Sequence, residues 1–141
     1  MTPLRVGIIG AGGIAAKLHL PELQSTTGVQ VTVLSGRKTS RLERLAAQFG
    51  VPHWTTRYED LLDDPEVDAV VIALPHPLHV KYGLMALAAG KHVHMQKPLS
   101  TSLEDAEAFV QAAEQSDRTV LCLPYVARPH VLAARELIAA G

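Results

Sequence analysis

A lysine directly before a proline is the first feature of this sequence that could do chemistry. The segment Gln96-Lys97-Pro98 follows Lys91–Met95, a run typical of a buried strand. A lysine at the edge of a sheet can carry a proton to or from a bound molecule that shields it from water. The alternative is a surface lysine whose ammonium extends into solvent. Pro98 favours an extended backbone at Lys97 and permits a cis bond between the two residues.

A glycine-rich turn is the second chemical feature. The segment Gly10-Ala11-Gly12-Gly13-Ile14-Ala15 fits the pattern G-x-G-x-x-G/A, directly after a predicted strand and at the start of a predicted helix. In this context the pattern indicates dinucleotide binding, because a helix N-terminus attracts phosphate and glycine lets the backbone approach it. A glycine turn without a ligand is the alternative. The candidate cofactor-binding residues here are Gly10, Gly12, Gly13, Ile14 and Ala15.

The end of the second predicted strand bears on the choice of dinucleotide. Enzymes that use NAD usually place an acidic residue there, about 20 residues after the glycines, to bind the ribose hydroxyls. Here the strand leads into Ser35-Gly36-Arg37-Lys38, and no carboxylate lies between Glu22 and Glu43. A hydroxyl, a guanidinium and an ammonium suit a 2′-phosphate. We therefore expect Ser35, Arg37 and Lys38 to favour NADP, with NAD left open.

The elements that must position these groups alternate along the chain. Continuous apolar runs predict five strands, and a weaker sixth lies near His53; the runs are Arg5–Gly10, Val29–Ser35, Val67–Pro75, Lys91–Met95 and Thr119–Pro124. Helical patterns separate them. This alternation predicts an α/β fold, a doubly wound parallel sheet of the Rossmann type in three α/β/α layers. The simplest strand order is 3-2-1-4-5-6, with residues 1–141 as one domain.

Helix boundaries can also be predicted from local signals. A serine cap and a terminal glycine bound the helix Ser40–Phe49, and Gly90 suits the end of the helix Val80–Ala89. Thr101 and Glu104 fit a capping box at the start of the next helix. Pro21 is expected to kink or restart the helix that follows the glycine turn.

Composition excludes several classes of function. The formal net charge is −1 over 141 residues, which gives no electrostatic reason to expect nucleic acid or an anionic membrane as a partner. The single cysteine, Cys122, and the lack of a signal-peptide pattern lead us to expect a cytoplasmic protein. Two pairs of histidines, His76 with His79 and His92 with His94, lack a third ligand at suitable spacing, so we predict no metal site.

Several segments together resemble the Gfo/Idh/MocA oxidoreductase family. They are the glycine turn, the segment from Val67 to His79 (VDAVVIALPHPLH), the segment Ala88–Val93 (AAGKHV) and Gln96-Lys97-Pro98 in place of the family's Glu-Lys-Pro. The resemblance implies an NAD(P)-binding Rossmann domain whose crevice is also lined by Leu74, Pro75, His76, His79 and Gln96. It also implies that Lys97 lies near the nicotinamide and is catalytic, through proton transfer or orientation of the substrate oxygen. His76 and Gln96 depart from the family's Asn and Glu.

The resemblance leads to two hypotheses. In the first, the chain is the nucleotide-binding part of an oxidoreductase that transfers a hydride between NADP(H) or NAD(H) and a sugar, polyol or related carbonyl or carbinol compound. The family's C-terminal substrate domain is absent from this chain, so we expect residues 1–141 alone to be inactive. In the second, the chain is a non-catalytic dinucleotide-binding module with a redox-sensing or interaction role. An isolated domain exposes the surface that meets its partner domain, so self-association into a homo-oligomer is also expected.

Overall fold

The computed structural model of the chain describes residues 2–122 and 129–140. Within these ranges six strands form one sheet in the order β3-β2-β1-β4-β5-β6, and every pairing is parallel. The predicted order is therefore confirmed, and the weakly predicted strand near His53 is present as the third strand along the chain. The strands are β1 (Leu4–Ile9), β2 (Val29–Ser35), β3 (His53–Thr55), β4 (Ala69–Ile72), β5 (His92–Met95) and β6 (Val120–Cys122). The predicted continuation of β6 through residues 123 and 124 lies outside the described residues.

Helices cover both faces of the sheet, so the predicted three-layer fold is confirmed. Those in the described residues are a π-helical segment (Ala15–His19), α1 (Leu20–Ser25), α2 (Thr39–Phe49), α3 (Tyr58–Asp63), α4 (His79–Ala88), α5 (Leu103–Glu114) and α6 (Pro129–Ala140), with a 3-10 turn at His76–Leu78. One apolar core packs α3, α4 and α5 against one face, where Leu61, Ala86 and Phe109 are buried. A second core packs the π-helical segment, α1 and α2 against the opposite face.

Three helix starts differ by one residue from prediction, and the first is α4, which begins at His79 and not at Val80. The helix α2 begins at Thr39, and Lys38 at its N-cap makes no side-chain capping bond, so Ser40 is not the cap. In α5 the cap is Ser102, whose hydroxyl accepts a hydrogen bond from the backbone N–H of Asp105 at 3.3 Å, so the capping box assigned to Thr101 is wrong. Adjacent hydroxyl residues, each followed three positions later by an acid, make the two registers indistinguishable in sequence.

The helix after the glycine turn is interrupted where Pro21 predicted it. The π-helical segment ends at His19, and α1 restarts at Leu20 with Pro21 in its first turn. Proline has no backbone N–H to continue the α-helical pattern, and a wider π turn is one way for a helix to absorb this. The interruption leaves Ala15, His19 and Leu20 buried against the sheet.

Parallel pairing brings the carboxyl ends of the strands to one edge of the sheet. Backbone bonds continue beyond the strands themselves: the N–H of Ala73 donates to Ile9 at 2.8 Å, and the N–H of Gln96 donates to Ile72 at 3.0 Å. The segments after β1, β2, β4 and β5 therefore lie side by side. Among the described helices, none is both long and apolar enough to cross a lipid bilayer.

Candidate functional site

The glycines of the turn after β1 serve two different purposes. Gly10 has a φ of 97°, and a Cβ there would lie 2.6 Å from the carbonyl oxygen of Ala73, so the fold itself requires glycine. A Cβ at Gly12 would lie 3.9 Å from the carbonyl oxygen of Gly10, which is an ordinary van der Waals distance. A Cβ at Gly13 would have no tertiary neighbour within 4 Å. These two glycines leave open space before the helix that starts at Gly13. A phosphate could approach the backbone there, so the turn fits a dinucleotide.

Ser35 fixes this turn through its main chain. Its carbonyl oxygen accepts hydrogen bonds from the N–H groups of Gly10 at 3.0 Å and Ala11 at 2.8 Å. Its hydroxyl is fully buried and donates to the carbonyl oxygen of Ile8 at 3.1 Å. The expected hydroxyl contact with a 2′-phosphate therefore has no counterpart in this geometry, because the hydroxyl is turned into the protein. Ser35 instead joins the end of β2 to the glycine turn.

The predicted cations line a pocket beside the turn. This pocket has a volume of about 220 Å³, and its wall includes Gly10, Gly12, Arg37, Lys38, Leu74 and Pro75. Arg37 and Lys38 are both exposed, so they can turn towards a bound anion. The structure thus brings together the glycine turn, the end of β2 and the end of β4, as the sequence predicted.

Two further residues of this wall escaped the sequence analysis. Arg41 lies one helical turn beyond Lys38 in α2 and adds a third cation. Arg41 follows Lys38 by three residues and Arg37 by four, and this helical spacing could have identified it as a third cation of the wall. Tyr58, the first residue of α3, also lines the pocket. Burial raises the pKa of the Tyr58 phenol, with the charge of Arg37 acting in the opposite direction, so the hydroxyl stays neutral at pH 7.

The end of β4 carries one exposed and one buried histidine. His76 is exposed, whereas His79 is fully buried in the first turn of α4. The Nε2 atom of His79 lies 2.8 Å from the carbonyl oxygen of Leu74, and its Nδ1 atom lies 2.7 Å from that of Pro98. The two rings are 5.5 Å apart, edge to face. His79 therefore connects the segment after β4 with the segment after β5.

The end of β5 places a buried amide next to an exposed lysine. Gln96 is 6% exposed, whereas Lys97 and Pro98 are both exposed. The Lys97–Pro98 peptide bond is cis. The Gln96 side chain contacts the Lys97 backbone and the ring of His19, a residue that the sequence analysis did not single out. Gln96 and Lys97 thus lie at the end of β5, the strand next to β4 in the sheet, and His79 in α4 contacts the same segment through Pro98.

In the part of the chain that the structure describes, no group of three or more His, Cys, Asp or Glu residues is arranged to hold a metal ion. Cys122 lies in β6, and burial raises the pKa of its thiol, which keeps it protonated at neutral pH. The chemistry of the site therefore rests on the glycine turn, the three cations and Lys97.

Comparisons with known proteins agree with this geometry. Residues 4–123 match the model of the Gfo/Idh/MocA family, described as an oxidoreductase family with an NAD-binding Rossmann fold. The chain is 38% identical over 113 residues to a dTDP-3,4-didehydro-2,6-dideoxy-alpha-D-glucose 3-reductase of Actinomadura kijaniata. The aligned region covers 80% of this chain and 34% of the relative. It is also 38% identical over 112 residues to a 1,5-anhydro-D-fructose reductase of Ensifer adhaerens, over 79% of this chain and 33% of the relative.

A solved structure is similar over almost the whole chain. It is a 3-ketoreductase from Actinomadura kijaniata in complex with NADP and TDP-benzene, with a TM-score of 0.91 and 32% identity. The superposition covers 99% of this chain and 43% of the reductase. This chain therefore spans about a third of the length of these curated relatives and less than half of that structure.

Proposed function

The chain belongs to the Gfo/Idh/MocA oxidoreductase family, and we propose that it is the cofactor-binding part of an enzyme that prefers NADP(H) and acts on a sugar, polyol or related compound. The reaction class is hydride transfer between the nicotinamide and a carbonyl or carbinol carbon. The observation that carries the proposal is the pocket in which Gly12, with open space at its Cα, lies in the same wall as the cations of Arg37, Lys38 and Arg41.

The start of the helix and the three cations are proposed to bind different parts of the cofactor. The N–H groups at the start of the helix have no intrahelical acceptor, so Gly13, Ile14 and Ala15 can offer them to the pyrophosphate. Arg37, Lys38 and Arg41 supply three positive charges on the side where the ribose phosphate of NADP would lie, and among the described residues no carboxylate lines that wall. A phosphate would gain from these charges, whereas a 2′-hydroxyl would gain little. This difference supports a preference for NADP over NAD.

Lys97 is proposed to hold and move the proton of the reaction. When a carbonyl carbon receives a hydride, its oxygen needs a proton, and an ammonium group at the end of β5 can donate one. In the reverse direction the neutral amine accepts it. The position of Lys97 after β5, beside the β4 segment that lines the pocket, supports this role. The names of the relatives, which include two reductases of sugar derivatives, support the substrate class.

The rest of the substrate site is proposed to come from a second domain. The relatives are about three times as long as the region they share with this chain. A substrate pocket in that extra length would close over the end of β5 and shield Lys97 from water. Substrate choice would then depend on residues outside this chain.

A non-catalytic dinucleotide-binding module is the second candidate. The glutamine at position 96, where the family motif has glutamate, favours it, because an amide cannot act as an acid or base. Activity separates the two candidates. We expect Lys97→Ala, in the protein that carries a substrate domain, to lower kcat for sugar or polyol oxidation at least about a hundredfold while NADP affinity changes little. Turnover equal to wild type would remove Lys97 from the mechanism, and no turnover of any carbonyl or carbinol substrate would favour the binding module.

A further inference from the structure

The side chain of Gln96 joins the backbone of Lys97 to a buried histidine. Its Oε1 atom lies 2.7 Å from the backbone nitrogen of Lys97, and its Nε2 atom lies 3.2 Å from Nε2 of His19. Gln96 is 6% exposed and His19 is 1% exposed, so water contributes little to either group. Both ends of the amide are therefore committed to protein partners.

These contacts determine where the protons lie. A backbone N–H can only donate, so the amide atom beside Lys97 must be the oxygen. The amide nitrogen then faces His19 and donates to it, which requires the Nε2 atom of His19 to be an acceptor. An imidazole that accepts at Nε2 carries its proton on Nδ1 and is neutral. The geometry thus selects one tautomer and one charge state of His19.

The surroundings of His19 favour the same state. Burial and the neighbouring His94 lower the pKa of His19 to about 4. The ring of His94, on β5, lies 5.4 Å away edge to face, and burial lowers its pKa as well, with the charge of Glu22 on α1 acting in the opposite direction. Lys97 is the cation nearest in sequence to Gln96, and it is exposed. The buried imidazole of His19, which contacts the residue before Lys97, is therefore uncharged at neutral pH.

We propose that His19 and Gln96 form a neutral hydrogen-bonded pair that positions Lys97, with His19 as a positioning residue that acts through the amide. A glutamate at position 96 has no N–H to give an acceptor at His19. A carboxylate there would accept from His19, which would then need its proton on Nε2, so the tautomer of His19 would change and a charge would be buried beside it. Glutamine supplies the N–H and the acceptor together, so it holds Lys97 in the same way across the neutral pH range. The link from this pair to catalysis rests on the proposed role of Lys97, whereas the pair itself does not.

Nuclear magnetic resonance of the 15N-labelled imidazoles tests the pair in the wild-type chain without any substitution. We expect His19 to show a single neutral tautomer with the proton on Nδ1 between pH 6 and 8. In Gln96→Glu the carboxylate would stabilise the imidazolium, so the titration midpoint of His19 should rise by at least about one pH unit. His53, which is exposed on β3, is the internal reference, and its imidazole signals should be the same in both proteins. A proton on Nε2 of His19 in the wild type, or an unchanged midpoint in Gln96→Glu, would overturn the proposal.

Hydrogen exchange at the Lys97 amide tests the positioning itself. Gln96→Met keeps the length of the side chain but removes both polar atoms, so exchange at Lys97 should become at least about tenfold faster. In His19→Leu the amide of Gln96 loses its acceptor, and a smaller acceleration at Lys97 is expected. Exchange at Val71, in the middle of β4, reports whether the fold survives and should stay unchanged. Equal protection of Lys97 in all three proteins would contradict a positioning role, whereas faster exchange at Lys97 with unchanged activity would count against the proposed catalytic role of Lys97 alone.

Discussion

The Nδ1 atom of His79 lies 2.7 Å from the carbonyl oxygen of Pro98, so the first residue of α4 is bonded to the turn that follows β5. The opposite ring nitrogen lies 2.8 Å from the carbonyl oxygen of Leu74, at the end of β4. One fully buried side chain thus spans the two segments that the candidate site needs side by side. The wall of the cofactor pocket and the turn that carries Lys97 are held together here.

Replacing His79 with leucine should therefore destabilise the domain. The substitution removes the imidazole N–H and leaves at least one of the two carbonyl oxygens without a donor, which costs about 1 to 3 kcal/mol in the free energy of unfolding. Urea denaturation measures this change. The control is His76→Leu, which alters the exposed neighbour in the 3-10 turn and should change stability by no more than about 0.5 kcal/mol. Equal stability of the two variants would show that the bonds of His79 contribute nothing.

Substitutions of the glycines in the turn should affect stability at Gly10 and cofactor affinity at Gly12 and Gly13. Gly10→Ala places a Cβ 2.6 Å from the oxygen of Ala73 at a φ of 97°, and we expect a loss of about 1 to 3 kcal/mol in stability. Gly12→Val and Gly13→Val meet open space in the protein, so they should fold nearly as well as the wild type. They should nevertheless weaken NADP binding at least about tenfold, because the new side chains fill the space proposed for the pyrophosphate.

Calorimetric titration together with urea denaturation of the same three variants checks this separation. Gly28→Ala is the matched control, since it also has a positive φ of 80° but lies outside the pocket. It should lower stability without changing affinity. Wild-type affinity in Gly12→Val would contradict the placement of the pyrophosphate.

The sequence predicted the fold well because long-range order here follows from local signals. Continuous apolar runs separated by amphipathic ones leave few arrangements for a parallel sheet, and strand order 3-2-1-4-5-6 is the simplest of them. The glycine turn could be identified with confidence because its context was predictable. The pairing of Gly10 and Ala11 with Ser35 could not be, because it depends on how the ends of β1 and β2 are aligned.

The residues that escaped prediction depend on tertiary contacts or on a helix irregularity. His19 lies in a π-helical segment, and a regular helix offers no reason to place it under Gln96. The direction of the Ser35 hydroxyl was misjudged because a strand residue can face either the core or the ligand. Arg41 escaped prediction although its spacing from Lys38 is visible in the sequence, because it lies inside α2 and not at the end of a strand.

The three cations of the pocket should increase the binding affinity for NADP and not that for NAD. Arg37→Ala should weaken NADP binding by about tenfold to a hundredfold, as expected for a lost hydrogen bond to a charged group, and Arg41→Ala should have a smaller effect. Affinity for NAD should stay within about twofold of the wild type. Arg44→Ala is the control, because Arg44 is exposed on the same helix and does not line the pocket. A parallel loss for both cofactors would assign Arg37 to the adenosine and not to the phosphate.

The neutral state of His19 should make stability depend on pH. Its pKa is about 4 in the folded chain against 6.5 for an ordinary histidine, so the unfolded chain binds the proton more tightly between these values. Stability is therefore full above about pH 6.5 and falls as the pH decreases towards 4, by an amount on the order of 3 kcal/mol. Urea denaturation at half-unit pH intervals measures the slope, and His19→Leu should flatten it.

A second effect of pH on stability comes from the carboxylate of Asp68, and it lies at lower pH than that of His19. The side-chain hydrogen bonds from Arg5 lower the pKa of Asp68 to about 2, so its contribution is present above pH 3.8 and is lost as the pH falls towards 2. Asp68→Asn should therefore lower stability above pH 3.8 and remove the pH dependence of stability only in this acidic range. A His19→Leu variant that keeps the full slope between pH 4 and 6.5 would contradict the neutral buried state of His19.

Titration of the chain with NADPH and with NADH in parallel tests the central claim most directly. The pocket built from the glycine turn, Arg37, Lys38 and Arg41 predicts saturable binding of one NADPH per chain, with NADH bound at least about tenfold more weakly. The preference should narrow as salt is added, because screening weakens the contacts with the phosphate. Equal or tighter binding of NADH would contradict the assignment of the cations, and no saturable binding of either nucleotide would contradict the account as a whole.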